Sequence, residues 1–124
     1  MLAGPLDRHN ILMLIQGPQK LVEGYLDLDE QLQVNGLDFT VRDIRRFISP
    51  GEVSRGSTKA TLSDSASIPF DSNERVHLAP GPYLMTVNEV INLPLDIMAL
   101  ARPRSSLLRC GVAIHTAVWD AGYH

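Results

Sequence analysis

The sequence predicts a mostly β domain, a barrel or sandwich of short strands led by one helix. Three observations carry this. Short apolar runs recur along the chain, each broken by Gly, Pro, Asn or Asp. Only one segment, near the N-terminus, keeps a helical period. Segments such as Ala79-Pro80-Gly81-Pro82 and Leu93-Pro94 punctuate the runs as turns do. The 124 residues suit a single domain, 1–124, with one modest core.

Taken in order, Asp7 is placed to cap a helix through Ile11, Leu12, Leu14 and Ile15, which Gly17-Pro18 stops. No second long helical period follows. Strands are expected at Leu37–Val41, Val76–Leu78, Tyr83–Val87, Val90–Leu93, Ile97–Ala101 and Val112–Thr116. Between the first two, Gly51–Ser67 is rich in Ser, Thr and Gly and reads as a mobile loop or surface excursion. Near the C-terminus, Pro103 fixes its own φ and disfavours a helical Arg102. A short helix can therefore begin just after it and end at Gly111, which suits a left-handed stop.

Composition excludes several classes. The hydrophobic fraction is 44% and the charged fraction 20%, both ordinary for a soluble domain. A net charge of -3 argues against a general nucleic-acid binder. Runs such as Ile11–Ile15 are too short to span a bilayer, and no signal-peptide pattern opens the chain. One cysteine, Cys110, rules out an internal disulfide and suits a reducing, cytoplasmic compartment. With aromatics at 6%, large anchors are few, and oligomerisation is a natural source of added stability.

Candidate chemistry gathers in the last 24 residues, ARPRSSLLRCGVAIHTAVWDAGYH. Arg104, Ser105 and Ser106 fall in the first turn of the short helix, with Arg109 at its far end. Free N–H groups at a helix start attract anions, hydroxyls donate to phosphate oxygens, and an arginine fork grips two of them. The competing reading is a Ser105 or Ser106 cap with solvated arginines. Against it, positive charge at a helix start is unfavourable unless something negative neutralises it. Asp120, between Trp119 and Gly122-Tyr123, can orient and deprotonate a water, with Tyr123 offering a ring face to a sugar. Alternatively Asp120 is an ordinary turn aspartate with Trp119 and Tyr123 in the core. Asp38, inside an apolar strand, needs a partner such as one of these arginines or a metal-bound water, unless it faces solvent at an edge.

Read together, these segments resemble the motifs of the dCTP deaminase and dUTPase superfamily. Val34-Asn-Gly-Leu-Asp-Phe-Thr40 is similar to its first motif, Arg104-Ser-Ser-Leu-x-Arg-x-Gly111 to its second, and His115-Thr-Ala-Val-Trp-Asp-Ala-Gly-Tyr123 to its third. Their order and spacing match. So do the linking stretches Leu78-Ala-Pro-Gly-Pro-Tyr-Leu84, Asn88-Glu-Val90, Leu93-Pro94 and Ala101-Arg-Pro-Arg104. The wording looks most like the archaeal-type dUTPase branch. The resemblance covers nearly the whole chain, least securely across Gly51–Ser67.

The resemblance implies a distorted β-barrel or jelly-roll-like dUTPase fold with a short N-terminal helix, assembled as a homotrimer with sites at subunit interfaces. It implies a deoxynucleoside triphosphate as substrate, with Mg²⁺ carried on the phosphates and no direct metal ligand from the protein. Carried over by position, Arg104, Ser105, Ser106 and Arg109 match triphosphate contacts. Thr116 and Ala117 match the loop that reads the pyrimidine edge through backbone groups. Asp120 matches the aspartate that orients the attacking water, and Tyr123 the aromatic packed on the deoxyribose. Asp38 matches a supporting carboxylate of the first motif. The family also continues past the position of His124 with further strands, so a C-terminally shortened chain is expected. A catalytic glutamate of the deaminases falls there too.

The implied activity is dUTP hydrolysis to dUMP and pyrophosphate. The alternatives are dCTP deamination, alone or coupled to that hydrolysis, and a non-catalytic nucleotide-binding module. A zinc deaminase is excluded, because His115 is followed by Thr-Ala and Cys110 is solitary. His9, His77, His115 and His124 have no ligand spacing. Cys110 is expected to be a buried, inert thiol.

Overall fold

A computed structural model describes residues 3–56 and 59–124. Strands predominate, as expected. In chain order the elements are α1 (Arg8–Gln16), β1 (Val22–Glu23), α2 (Leu28–Gln31), β2 (Leu32–Gln33), β3 (Gly36–Leu37) and β4 (Val41–Phe47). Then come β5 (Glu52–Val53), β6 (Ala60–Thr61), β7 (Ser65–Ser67), β8 (Tyr83–Val87), β9 (Val90–Ile91) and α3 (Ser105–Arg109). The described strands pair into small separate sheets, all antiparallel, with no closed barrel among them. Contacts divide the chain into two compact units, Met1–Asp38 with Glu89–His124, and Phe39–Asn88.

The first unit holds every buried residue among those described. Its core is Ile11, Ile15, Leu21, Val22, Leu32, Ile91 and Leu93. Asp7 caps α1 as expected, its carboxylate accepting from the Asn10 N–H at 2.8 Å. Ile11 and Ile15, one turn apart, form the buried face of α1, and Gly17 ends the helix. The Arg8 guanidinium donates to the Leu32 carbonyl and ties α1 to β2. β1 pairs with β9, setting Val22 against Ile91. β2 and β3 form a tight hairpin around Val34-Asn35, with Leu32 opposite Leu37.

In the second unit β4 is the central strand, between β7 and β8. Four charged residues in VRDIRRF hide it from a hydropathy reading. Local partners make it tolerable: Asp43 pairs with Arg45 at 3.1 Å and accepts from the Ser67 hydroxyl, while Arg45 also grips Ser65. A register shift lies between Val41 and Asp43.

Several expectations need correction. Leu37–Val41 is not one strand; β3 ends at Leu37, β4 begins at Val41, and Asp38 lies just past the hairpin. Val76–Leu78 and Val112–Thr116 form no strand, and Ile97–Ala101 contributes only a bridge from Ala99 to Trp119. These runs have strand-like composition but lack a partner edge among the described residues, and an unpaired strand is not stable. Gly51–Ser67, expected as a mobile loop or surface excursion, lies largely exposed and contains the β5–β6 hairpin and β7; its residues 57 and 58 lie outside the described residues. Cys110 is exposed, not buried, because it ends α3 on the surface. Among the described residues, no helix is long and apolar enough to cross a membrane.

Two carboxylates make stability pH-dependent. The Asn10 N–H holds Asp7 below its ordinary value of 3.8. The Ser67 hydroxyl, then Arg45, does the same for Asp43. A depressed folded-state pKa favours the native state while the carboxylate is charged. The contribution is therefore complete above the ordinary value and is lost as pH falls through the lower folded-state values. Thermal midpoints by circular dichroism are expected to fall on acidification below about pH 4, and less steeply in Asp7→Ala/Asp43→Ala. An identical acid slope in that variant would place the loss elsewhere.

Candidate functional site

All the candidate residues lie in the first unit. The start of α3 is built as the sequence suggested. Arg104, extended at φ -62 and ψ 150, is the N-cap, and no side chain caps the helix. Its carbonyl accepts from Leu107 N–H at 3.0 Å and Leu108 N–H at 3.2 Å. The reading in which Ser105 or Ser106 caps the helix therefore does not hold, and both serines are exposed in the first turn. The far end is a Schellman stop. Gly111 sits at φ +76, its N–H donates to Leu108, and the Val112 N–H reaches Leu107. Arg109 lies in the last turn, where positive charge suits the helix dipole.

Arg104 is the reverse case, a cation at a helix start, and the structure supplies its counter-charge. Its Nη1 lies 3.1 Å from Oδ2 of Asp38. This joins the first motif to the second. It also answers why Asp38 tolerates its place: the carboxylate is paired with an arginine. The Arg104 side chain remains 68% exposed against 25% for Asp38. An ion pair so open to water contributes little stability, at most about 1 kcal/mol. Its consequence is geometric, since one edge of the guanidinium is anchored while the rest faces solvent.

The third motif is anchored separately. Trp119 and Ala99 exchange backbone hydrogen bonds at 2.9 and 3.1 Å, and Leu93 N–H donates to the Tyr123 carbonyl at 2.8 Å. Between these anchors Asp120 opens a turn, its carbonyl accepting from Tyr123 N–H at 3.0 Å. Thr116, Ala117, Asp120 and Tyr123 are all exposed. The turn reading of Asp120 is thus correct for its backbone, and leaves its carboxylate open to solvent. Among the described residues, no hydrogen bond or ion pair joins the side chain of Asp120 to Arg104, Ser105, Ser106 or Arg109. Asp38 and Arg104 are brought together by their ion pair, and the third motif is held by its own backbone hydrogen bonds to Ala99 and Leu93.

Gly122 makes that turn possible. Its φ is +83, and a Cβ would come within 2.9 Å of Leu95 Cδ2. Leu95 is 89% exposed and can swing away, so the backbone is the lasting obstacle. Gly122→Ala is expected to lower stability by about 1–2 kcal/mol, measured by urea unfolding. No loss would mean that the turn relaxes.

Sequence reasoning missed two residues behind Asp38. Gln31 and Glu89 are buried polar side chains at 5% and 6% exposure. Gln31 Nε2 donates to the Asp38 carbonyl at 2.8 Å and to Glu89 Oε1 at 2.7 Å. The signals in the sequence were a carboxylate directly before the apolar run Val90–Leu93 and the place of Glu89 in the linking stretch Asn88-Glu-Val90; neither pointed to Gln31.

A family model described as dCTP deaminase-like matches residues 6–124. The chain belongs to the dCTP deaminase-like family. Among curated members of the wider group, it is similar to a probable deoxyuridine 5′-triphosphate nucleotidohydrolase of Methanococcoides burtonii. The two are 42% identical over 118 residues, which cover 95% of this chain and 69% of that protein. A protein of the same description from Archaeoglobus fulgidus is 42% identical over 118 residues, 95% of this chain and 68% of its own. The deoxyuridine 5′-triphosphate nucleotidohydrolase of Methanocaldococcus jannaschii is 35% identical over 97 residues, 77% of this chain and 62% of that one. No solved structure matches the chain. For a dCTP deaminase-like chain, the pairing of Asp38 with Arg104 links two of the three segments that carried the resemblance.

Proposed function

We propose that the chain is a dUTP diphosphatase, hydrolysing dUTP to dUMP and pyrophosphate. The observation that carries this is the Asp38–Arg104 pair beside the open first turn of α3. The start of this helix carries an anchored guanidinium, two exposed serines and N–H groups without a side-chain cap. The relatives described as deoxyuridine triphosphate nucleotidohydrolases support the choice of substrate. The family match runs through both units, which supports treating residues 1–124 as one domain.

In this reading Arg104, Ser105, Ser106 and Arg109 bind the phosphate chain and neutralise its charge. Asp120 takes a proton from a water whose oxygen attacks the α-phosphorus. The bond to the bridging oxygen breaks, and pyrophosphate leaves with the electron pair. Backbone groups at Thr116 and Ala117 read the pyrimidine edge, and Tyr123 packs on the deoxyribose. In this reading the complete site forms between subunits of a homotrimer. Exposed apolar side chains in the first unit support such an interface: Leu100 and Leu108 are each 56% exposed and Val118 48%.

The Arg104 guanidinium, anchored on the Asp38 carboxylate, and the Ser105 and Ser106 hydroxyls would hold the phosphate oxygens that carry Mg²⁺, with Asp38 in a supporting role. When bound, Mg²⁺ supplies further neutralisation of the phosphate charge. A reducing, cytoplasmic setting completes the reading, and the exposed Cys110 thiol supports it.

A second reading, dCTP deamination, is favoured by the description of the matching family. Incubation with dUTP or dCTP and Mg²⁺ separates them. Pyrophosphate from dUTP without ammonia from dCTP is the expected result. Ammonia from dCTP would establish the second reading, and nucleotide binding without turnover would leave a binding module.

A further inference from the structure

A buried carboxylate beside a buried carboxamide is unfavourable unless their polar atoms are paired. Gln31 fills all the positions of its amide. Oε1 accepts from the N–H of Leu26 at 2.8 Å and of Asp27 at 2.9 Å. Nε2 donates to the Asp38 carbonyl at 2.8 Å and to Glu89 Oε1 at 2.7 Å. Two donors on one side and two acceptors on the other permit one orientation only. A flipped amide would set its NH₂ against two N–H groups and its oxygen against a carboxylate and a carbonyl. Glu89 therefore locks the amide.

The main chain adds a second hold on the same residue. The Asp38 N–H donates to the Gln31 carbonyl at 2.8 Å. This continues the β2–β3 register, in which Leu32 faces Leu37, by one residue. Asp38 is thus held at both its N–H and its carbonyl by Gln31 alone, and its carboxylate then reaches Arg104. An exposed ion pair is weak, so its geometry depends on how firmly its less exposed partner, Asp38, is fixed.

We propose that Gln31, locked by Glu89, is a positioning residue for the Asp38–Arg104 pair and, through it, for phosphate binding. The second half rests on the reading of Arg104 as a phosphate ligand. Hairpin geometry alone would be served by an apolar residue at 31; the amide and the carboxylate behind it fix a particular placement of Asp38.

Two measurements on the full chain test the two halves separately. Arginine side-chain ¹⁵N NMR without phosphate follows the Arg104 Nε–H directly. Gln31→Met, which keeps volume and removes the amide, is expected to move that signal to where Asp38→Asn moves it. Glu89→Gln, which keeps an acceptor for Gln31 but removes the charge, is expected to move it part of the way. A folded Gln31→Met with the wild-type Arg104 signal overturns the proposal. Calorimetry with inorganic pyrophosphate then tests the link to binding. Gln31→Met and Asp38→Asn are expected to change affinity by the same factor, and the double variant by no more than about twofold beyond either. Additive changes overturn the coupling. If Gln31→Met fails to fold, hydrogen exchange on the unaltered chain decides: pyrophosphate is expected to slow the Leu26, Asp27 and Asp38 amides, and unchanged rates overturn the proposal. Failure of the unaltered chain to bind pyrophosphate would overturn the phosphate reading, and the NMR result would still decide the positioning.

Discussion

Asp120→Asn is expected to lower the rate of pyrophosphate release from dUTP by about 10²–10⁴-fold, the usual contribution of a positioned general base. The substitution is close to isosteric. It keeps the turn, because the hydrogen bond that closes it uses the Asp120 carbonyl, and asparagine is at home in turns. The exposed carboxylate is not part of the core, so thermal stability should barely change. What disappears is a group able to hold a proton from water. Single-turnover measurements with saturating dUTP isolate that step, and nucleotide binding should persist. Near-normal turnover in this variant would remove Asp120 from the mechanism and leave the phosphate-binding surface without its base.

How far the sequence disclosed this arrangement depends on distance along the chain. α1 was legible because its signals are local: Asp7 at the cap, Ile11 and Ile15 one turn apart, Gly17 at the stop. The limits of α3 were legible for the same reason, from Pro103 and Gly111. α2 escaped because four residues show no period, although Asp27 caps it through the N–H groups of Asp29 and Glu30. β4 escaped because Arg45 and Asp43 satisfy each other and Ser65 and Ser67, partners a linear pattern does not display. The opposite error came at Val112–Thr116, where composition suggested a strand and no pairing edge met it among the described residues. The site divides likewise. Asp38 was marked as needing a partner, an arginine or a metal-bound water, unless it faced solvent, and Arg104 as needing something negative; only the fold could pair them. Gln31 and Glu89, 58 residues apart, had no sequence signal linking them.

Arg104→Ala is expected to weaken pyrophosphate and dUTP binding by about 10- to 100-fold while leaving deoxyuridine binding unchanged. The asymmetry follows from what the guanidinium can reach. Its hydrogen-bond donors suit phosphate oxygens and have no claim on a nucleoside that lacks them. Stability should not fall with affinity, since the pair with Asp38 is exposed and the removed charge sat unfavourably at a helix start. Arg104→Lys should recover only part of the loss, because an ammonium cannot hold Asp38 along one edge and phosphate along another. Mixing then tests whether the site is shared. If one subunit supplies Arg104 and its neighbour Asp120, chains carrying Arg104→Ala and chains carrying Asp120→Asn are each nearly inactive alone. Dissociated and reassembled together, they regain activity, since some interfaces join an intact Arg104 to an intact Asp120. Absence of recovery in verified mixed assemblies would place both residues in the same subunit's site.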